Sequence, residues 1–521
     1  MSGATNGARV RSSIRGCSMF RRRAVLGVLL TTLLLSVTPM AVSSAEPTRP
    51  EVSEAPAGLH DFPFTLGCCY YDFADVGYTL EEFIVTGTAK SYVPGMAPQP
   101  FGARMVVARP IDPEDFNGTV LAEWENVTAQ FPSGPGMVWL HHHILPKGYA
   151  YVAINAQKAG HDFLQKWDPI RYASLGVHPG DDYSYDIFSQ AVGAMRSRAS
   201  RADGQPMDGL RVRRVVAYGQ SQSAGRLNNY MNLAQNDAGV LDAAIIQADG
   251  GNQKSFPDLT IPLVQFETED AIVATPPDPD NDPRYYRLWE VVGTAHLGSE
   301  NQSPGVATVP TAATIGRPAL PWKYDFAYWE HNHYGEEGPS ASSSAPVPAT
   351  GAALPALPPE VPRVPFVPRT APGAAGGCGG NEMPVRYALE AALEGLHNWL
   401  RGGPSLPRAP RAVFDENGVL QRDRFGNARG GLRLPPIDVP VATYRPDGCS
   451  LFGSTTALTP DVLLDLYPTH DGYVAKMRAA IDKALDHRYL TPEGAAQLLR
   501  KAKRSLVPLW RPSTQYGLED G

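Results

Sequence analysis

Short apolar runs recur along the middle of the chain, separated by polar, glycine-rich or proline-rich stretches. Runs of about four to eight β-branched and aromatic residues between such breaks are typical of strands. Helical spacing of apolar residues predicts helices over 185–198 and 227–233. The predicted strands are 81–93, 104–110, 119–124, 149–155, 215–218, 243–248, 263–266 and 287–292.

From residue 119 onward, predicted strands alternate with helical stretches. This alternation indicates a mainly parallel sheet that carries helices on both faces. The two strands before residue 119 predict an antiparallel edge. The sequence therefore predicts an α/β fold with about eight strands, in which 215–218 is the fifth strand.

The composition changes after the last predicted strand. Residues 335–380 are dominated by Ala, Pro, Ser and Gly and predict a flexible insertion. Apolar positions within 381–401 and 459–507 predict helices. We therefore expect an α/β core over 46–334 and a C-terminal helical part, residues 381–521, that packs on this core.

The first 45 residues predict a signal peptide. A basic start at 21–23 precedes an apolar run over 24–42, which Pro39 interrupts, and the small residues 43–45 suit a peptidase. A permanent anchor is the alternative, but no stop-transfer charges follow, so we expect cleavage and no stable membrane span. The paired arginines are compatible with twin-arginine export, which predicts a secreted, periplasmic or cell-surface protein.

Composition and charge limit the possible partners. Hydrophobic residues make up 43% of the chain and charged residues 19%, as in globular proteins. The net charge of −7 becomes −13 when the six arginines of residues 1–45 are removed. Nucleic acid is therefore excluded as a partner, because no basic field could neutralise phosphates. Residues 46–60, rich in Pro and Glu, predict a loose arm.

The cysteines predict one disulfide. Cys17 lies in the signal segment, which leaves four cysteines and three possible pairings. Cys68 and Cys69 are adjacent and would pair with each other only under strain. We expect Cys378 to pair with Cys449.

No metal or cofactor is predicted. Three consecutive histidines, 141–143, would point in different directions on a helix and could not converge on one ion. The acidic stretch 278–282 lacks the glycine and the closing glutamate of an EF-hand calcium loop. No Cys-x-x-Cys spacing occurs.

The segment 214–232, RVVAYGQSQSAGRLNNYMN, predicts a strand that turns sharply into a helix. A serine at the apex of such a turn, flanked by small residues, is typical of a nucleophile elbow. Ser221 fits the apex because the strand ends directly at Gly219. Ser223 offers a second register, and a serine-rich loop that caps a helix is the non-catalytic alternative.

A serine nucleophile needs a base and an acid, which in this kind of fold follow later strands in that chain order: serine, acid, histidine. His296 follows the last predicted strand in a small-residue turn. Asp270 follows the strand before it and is the predicted acid. Glu269 is the alternative acid, and Glu267 is possible but close to the strand.

The oxyanion formed during acyl transfer needs two donors. The backbone N–H of Gln222, directly after the predicted nucleophile, supplies the first. The second is expected from the loop at 125–128, where we assign the backbone N–H of Val127.

The sequence resembles the poorly characterised secreted bacterial proteins that carry an α/β-hydrolase domain. The resemblance covers most of 70–510 apart from the insertion, and it rests on the segments GQSQSAGRLNNYMN, ETED, RLWEVVGTAH, VLAEWENVT and GCSLFG. It implies an α/β-hydrolase fold with Ser221 as nucleophile, His296 as base, and Asp270 or Glu269 as acid. The chain departs from the G-x-S-x-G pattern at Ser223.

The sequence therefore predicts an exported serine hydrolase, most simply a carboxylic ester hydrolase that needs no cofactor. Its predicted partner is a small-molecule, lipid or aryl ester, and the sequence predicts no particular oligomeric state. The alternatives are an acyltransferase that uses the same three residues, and a binding protein that keeps the fold without turnover.

Overall fold

The largest element of the fold is a nine-stranded sheet. A computed structural model describes residues 49–59, 64, 73–250, 256, 258–274, 284–298, 380–448 and 450–508, all within one compact unit. The strands in these ranges are β1 (Glu51–Glu54), β2 (Tyr78–Ala89), β3 (Gln99–Pro110), β4 (Thr119–Trp124), β5 (Ala150–Asn155), β6 (Arg214–Gln220), β7 (Ala243–Gln247), β8 (Leu263–Thr268) and β9 (Tyr286–Val291). Their order is β1-β2-β3-β5-β4-β6-β7-β8-β9.

Strand direction confirms the predicted mostly parallel α/β architecture with an antiparallel edge. Strands β1, β2, β3 and β5 pair antiparallel in that order. From β5 through β4 to β9 every pairing is parallel. The carboxyl ends of β4, β6, β7, β8 and β9 therefore meet at one edge of the sheet, which is where open α/β sheets place their sites.

Strand β1 corrects two predictions. The residues 46–60 were expected to form a loose arm, but Glu51–Glu54 pairs with Phe83–Thr86 of β2. The mostly polar sequence EVSE has no apolar alternation, and only Val52 packs against an apolar cluster, so the strand leaves no sequence signal. With β1 included, the described sheet has nine strands rather than eight, and β6 is the sixth strand rather than the fifth.

The predicted helices are present, although no helix was predicted at 135–144 or 158–167. The predicted stretch 185–198 forms α3, 381–401 contains α6, and 459–507 divides into three helices. In the described ranges the helices are α1 (Pro135–Ile144), α2 (Lys158–Trp167), α3 (Ser184–Arg196), α4 (Gln222–Leu233), α5 (Gln235–Ala238), α6 (Arg386–Leu400), α7 (Pro435–Asp438), α8 (Pro460–Leu466), α9 (His470–Asp486) and α10 (Pro492–Arg504). Two short strands, β10 (Ala442–Arg445) and β11 (Ser454–Ala457), form a separate antiparallel pair.

Two apolar clusters cover the two faces of the sheet. Side chains alternate between the faces of a strand, so in β6 Val216 and Tyr218 join one cluster while Val215 and Ala217 join the other. The Val216 cluster includes α1, α6, α9 and α10. The Val215 cluster includes α3 and α4. The C-terminal helices therefore share a core with the central strand of the sheet.

Some predictions lie outside the described residues. These are the signal segment 1–45, the insertion up to residue 379, the acidic stretch 278–282 and all four cysteines of the predicted mature chain. Within the described ranges, none of the helices combines the length and the apolar character that a membrane crossing requires.

Candidate active site

The turn between β6 and α4 holds Ser221 in a strained backbone conformation. Its φ of 59° and ψ of −121° lie in a region that side-chain-bearing residues rarely adopt. The Ser221 N–H donates to the carbonyl of Gln247 at 2.9 Å, and its own carbonyl accepts from the Gly225 N–H at 3.1 Å. A Cβ on Gly219 would lie 2.7 Å from the Ser223 carbonyl oxygen, so the close approach of strand and helix requires glycine there.

Ser223 has a structural role in the same turn. Its side chain is fully buried. The hydroxyl donates to the Gln220 carbonyl at 2.9 Å and accepts from the Gln220 N–H at 3.0 Å. The structure thus places Ser221 at the apex and uses Ser223 to close the turn, in the position where G-x-S-x-G has its second glycine.

His296 and Asp270 meet at the same edge of the sheet. His296 Nδ1 lies 2.9 Å from Asp270 Oδ2, and the two residues follow β9 and β8 respectively. His296 is 7% exposed. A carboxylate accepts hydrogen bonds, so the histidine is the donor in this contact, through Nδ1.

The histidine turn is held against the elbow. The side-chain amide of Gln220, which directly precedes Ser221, donates to the His296 carbonyl at 3.5 Å. The Leu297 N–H donates to the Leu451 carbonyl at 2.8 Å. These contacts bring the turn after β9 beside the end of β6.

Glu269, the alternative acid, binds other groups. Its carboxylate accepts from the Gly293 N–H at 2.6 Å and from Arg422 Nη2 at 2.6 Å. Burial raises the pKa of Glu269, and the charge of Arg422 opposes this rise. Of the two neighbouring acids, the structure therefore brings Asp270 to the imidazole and engages Glu269 elsewhere.

Glu267, the third candidate acid, lies inside the sheet. Its side chain is fully buried within β8, and Gln265 Nε2 donates to it at 2.5 Å. Burial, and after it the charge of Asp249, raises the pKa of Glu267 well above the usual range of a glutamate. A raised pKa disfavours the ionised form that the acid role requires, so Glu267 does not suit that role.

The loop after β4 contacts the elbow through side chains. The Val127 N–H donates to Gln222 Oε1 at 3.3 Å, and the Asn126 side-chain amide donates to the Gln220 carbonyl at 2.8 Å. Gln222 Nε2 in turn donates to Gln157 Oε1 at 3.0 Å. The two predicted oxyanion donors, Gln222 and Val127, are therefore neighbours at the start of α4, where the helix dipole favours negative charge.

Two buried carboxyls lie where this loop leaves β4. Glu123 accepts from the Gly136 N–H at 2.8 Å at the start of α1, and burial raises its pKa to about 8. Burial also raises the pKa of Glu125 to about 7, although Arg104 lies 3.5 Å away and opposes the rise. Glu125 directly precedes Asn126, and Glu123 lies two residues earlier in β4, so both carboxyls lie at the base of the loop.

The described residues contain no group of three His, Cys, Asp or Glu side chains that could hold a metal ion. The three histidines 141–143 lie in α1. The rings of His141 and His142 lie 3.8 Å apart, whereas His143 lies against Tyr149. His141 Nδ1 contacts the Met137 carbonyl at 3.0 Å.

Sequence reasoning missed Arg422, Gln220 and Asn126. Asn126 lies within the predicted oxyanion loop and Gln220 within the elbow, so position alone could have drawn attention to them. Arg422 lies 153 residues after its partner Glu269, and no local pattern connects the two.

Comparison with known proteins supports the fold. The sequence matches the family described as "Alpha/beta hydrolase domain" over residues 45–500, while no curated protein matches it. Among solved structures, the serine hydrolase XC6422 from Xanthomonas campestris, described as lacking a lid, is 14% identical with a TM-score of 0.25, and the match covers 41% of this chain and 85% of that one.

Two further solved structures show the same range of similarity. The esterase Est22 is 16% identical with a TM-score of 0.23, and the match covers 36% of this chain and 50% of that chain. A prolyl endopeptidase is 14% identical with a TM-score of 0.24, with 41% of this chain and 35% of that chain covered.

The family match extends over the sheet, the elbow and the turns that carry Asp270 and His296. The chain therefore belongs to the alpha/beta hydrolase domain family.

Proposed function

We propose that this protein is an exported serine hydrolase that cleaves carboxylic esters through an acyl-enzyme on Ser221. The observation that carries the proposal is the 2.9 Å contact between His296 Nδ1 and Asp270 Oδ2. The turn that contains His296 also contacts Gln220, the residue before the strained Ser221. A structural histidine would need no carboxylate at Nδ1, whereas a catalytic one uses this contact to fix its tautomer.

The reaction follows from these positions. Ser221 Oγ attacks the acyl carbon of the ester as His296 Nε2 takes its proton. The backbone N–H groups of Gln222 and Val127 are the donors for the resulting oxyanion, once the Gln222 side chain releases the Val127 N–H. The bond to the alcohol oxygen then breaks, and His296 donates its proton to the leaving alcohol.

Hydrolysis of the acyl-enzyme completes the cycle. His296 Nε2 takes a proton from water as the water oxygen attacks the acyl carbon. The bond to Ser221 Oγ breaks, His296 returns the proton to Oγ, and the carboxylic acid leaves. Asp270 stays ionised throughout and stabilises the imidazolium.

Fluorophosphonate labelling followed by peptide mapping tests the nucleophile. We expect the wild type to be labelled on Ser221 and to hydrolyse short p-nitrophenyl esters, and Ser221→Ala to lose both properties. Ser223→Ala is the matched control, because it removes the neighbouring hydroxyl and keeps Ser221. Labelling on Ser223, or full ester hydrolysis by Ser221→Ala, would overturn the assignment.

The leader and the reaction type need separate experiments. Expression of the full chain in a bacterial host, followed by fractionation and N-terminal sequencing, should show an exported product that starts close to residue 46. A mature protein that retains residues 1–45 would contradict the prediction that this signal segment is cleaved.

Product analysis with added acceptor alcohols tests the reaction type. Free acid should be the main product, whereas esters of the added alcohol would indicate an acyltransferase.

A further inference from the structure

The carboxylate of Glu269 connects the two turns that carry the proposed acid and base. Glu269 directly precedes Asp270 in the short helical turn Glu269–Ala271. Its carboxylate accepts from the Gly293 N–H at 2.6 Å, and Gly293 begins the turn that leads to His296. The Glu269 N–H also donates to Thr294 Oγ1 at 3.2 Å. Two hydrogen bonds from one residue thus fix the acid turn to the histidine turn.

The charge of this carboxylate is balanced from a distant part of the chain. Arg422 Nη2 donates to Glu269 Oε1 at 2.6 Å. The Glu269 side chain has no exposed surface, and Arg422 is 22% exposed. An enclosed carboxylate that loses its cationic partner tends to take up a proton or to move toward water.

The segment that delivers Arg422 is itself well held. Arg422 Nη1 donates to the Gly426 carbonyl at 3.3 Å, and Arg422 and Ala428 form an isolated antiparallel bridge. The Asn427 side chain donates to the Ala442 carbonyl at 3.0 Å, next to the small sheet. Arg422 therefore lies on a hairpin whose backbone is held by hydrogen bonds, and this hairpin positions its guanidinium beside Glu269.

We propose that the Glu269–Arg422 ion pair is a positioning pair, which holds Asp270 in register with His296 and makes the segment 412–430 a part of the active site. The inference rests on the proposed function, because it assigns Asp270 and His296 their catalytic roles. In this role neither Glu269 nor Arg422 needs to contact substrate. Their effect is transmitted through the two turns that Glu269 joins.

The size of the effect follows from the geometry of catalysis. A misplacement of about 1 Å in a catalytic group can cost about a hundredfold in rate. Arg422→Gln and Glu269→Gln keep similar volume and remove one charge of the pair. We expect each to lower kcat by roughly tenfold or more, with KM changed less than about twofold, since substrate contacts are intact.

The experiment compares three variants of the pair with one control. Arg422→Gln and Glu269→Gln break the pair, and Arg422→Lys keeps a cation at position 422. The control, Arg196→Gln, breaks a different ion pair, in which Arg196 Nη1 lies 2.8 Å from Asp242 Oδ2. For each protein we would measure kcat and KM on a p-nitrophenyl ester, the rate of fluorophosphonate labelling, and thermal unfolding.

A spectroscopic readout separates positioning from general stability. In protein labelled with ¹⁵N-histidine, the proton shared by His296 Nδ1 and Asp270 should give a downfield resonance that Asp270→Asn removes. We expect Arg422→Gln and Glu269→Gln to weaken or shift this resonance at a temperature well below unfolding. Arg422→Lys should recover part of the rate and of the signal, and Arg196→Gln should change neither.

Failure of the inference and failure of the proposed function give different results. If the wild type is not labelled on Ser221, the hydrolase proposal fails, while the downfield resonance still tests the positioning role. If the wild type is labelled and both charge-breaking variants keep the wild-type kcat, labelling rate and resonance, the positioning role is wrong. If Arg422→Gln does not fold, Arg422→Lys and Glu269→Gln decide the question by the same measurements.

Discussion

His296 Nδ1 and Asp270 Oδ2 lie 2.9 Å apart at the carboxyl edge of the parallel sheet. The contact joins two turns that follow neighbouring parallel strands, β8 and β9. Glu269, one position earlier in the chain, faces Gly293 and Arg422 instead. A change of one residue along the turn therefore separates the carboxylate that contacts His296 from the carboxylate that joins the two turns.

Asp270→Asn should abolish most of the ester hydrolysis. The amide keeps the volume of the carboxyl but can donate to Nδ1, which selects the wrong tautomer and leaves the imidazolium without a counter-charge. A loss of about a thousandfold or more in kcat is expected by analogy with other serine triads. Steady-state kinetics on a p-nitrophenyl ester measures it. The control is Asp438→Asn, which alters a surface ion pair with Arg433. If Asp270→Asn lowers kcat by less than tenfold, Asp270 is not the acid.

Ser221→Gly should be more stable than Ser221→Ala. The backbone at position 221 has φ 59° and ψ −121°, which glycine adopts freely and alanine does not. The difference in the free energy of unfolding should be about 1 to 3 kcal/mol in favour of glycine, less a few tenths for the greater flexibility of the unfolded chain. Urea unfolding measures it, and both variants lack the hydroxyl. Equal stability of the two would mean that the turn is relaxed in solution.

Gln222→Glu should separate stability from activity. The carboxylate can still accept from the Val127 N–H and lies at the N-terminus of α4, where negative charge is favourable. The same charge opposes the oxyanion, so kcat should fall by roughly a hundredfold. The thermal midpoint should change little, because the favourable charge at the helix N-terminus offsets the lost donation to Gln157 Oε1. Gln222→Met, which is uncharged, should lose less activity. A Gln222→Glu enzyme as active as the wild type would place the oxyanion elsewhere.

Glu123 should make stability fall as pH rises. Its folded-state pKa of about 8 lies above its ordinary value, so between these two values the folded protein holds a proton that the unfolded chain releases. The contribution is fully present below the ordinary pKa and is lost as pH rises toward 8, by about 1.4 kcal/mol for each pH unit at most.

Glu123→Gln removes this titration while keeping an oxygen for the Gly136 N–H. The stability of Glu123→Gln relative to the wild type should therefore increase between pH 5 and pH 8. This range lies between the ordinary pKa of a glutamate, 4.5, and the folded-state pKa of Glu123, about 8. Chemical denaturation at several pH values measures the difference. A difference that is constant with pH would show that Glu123 is ionised in the folded protein.

Much of the fold could be predicted because its signals are local. The apolar runs at 119–124 and 263–266 and the small residues around Ser221 mark strands and the elbow without reference to the rest of the chain. Strand β1 has no such signal, since its four residues are mostly exposed and pair through the backbone.

The site was predictable only in part for the same reason. Chain order indicated an acid after β8 and a histidine after β9, but it could not choose between Glu269 and Asp270, because the choice depends on how one turn rotates. Arg422 could not be found at all, since its approach to Glu269 depends on how a segment 153 residues later folds back.

The position of α6 has a consequence for how this protein is made. Leu389, Leu393 and Leu396 of α6 share an apolar cluster with Val216 and Tyr218 of β6. Once β9 has left the ribosome, every described strand of the large sheet is available to fold, yet one face of that sheet still lacks its α6 cover. The nascent chain therefore exposes apolar surface on this face of the sheet until residues 386–400 emerge from the ribosome. A truncated product that ends before residue 386 would keep this surface exposed and would be prone to aggregate.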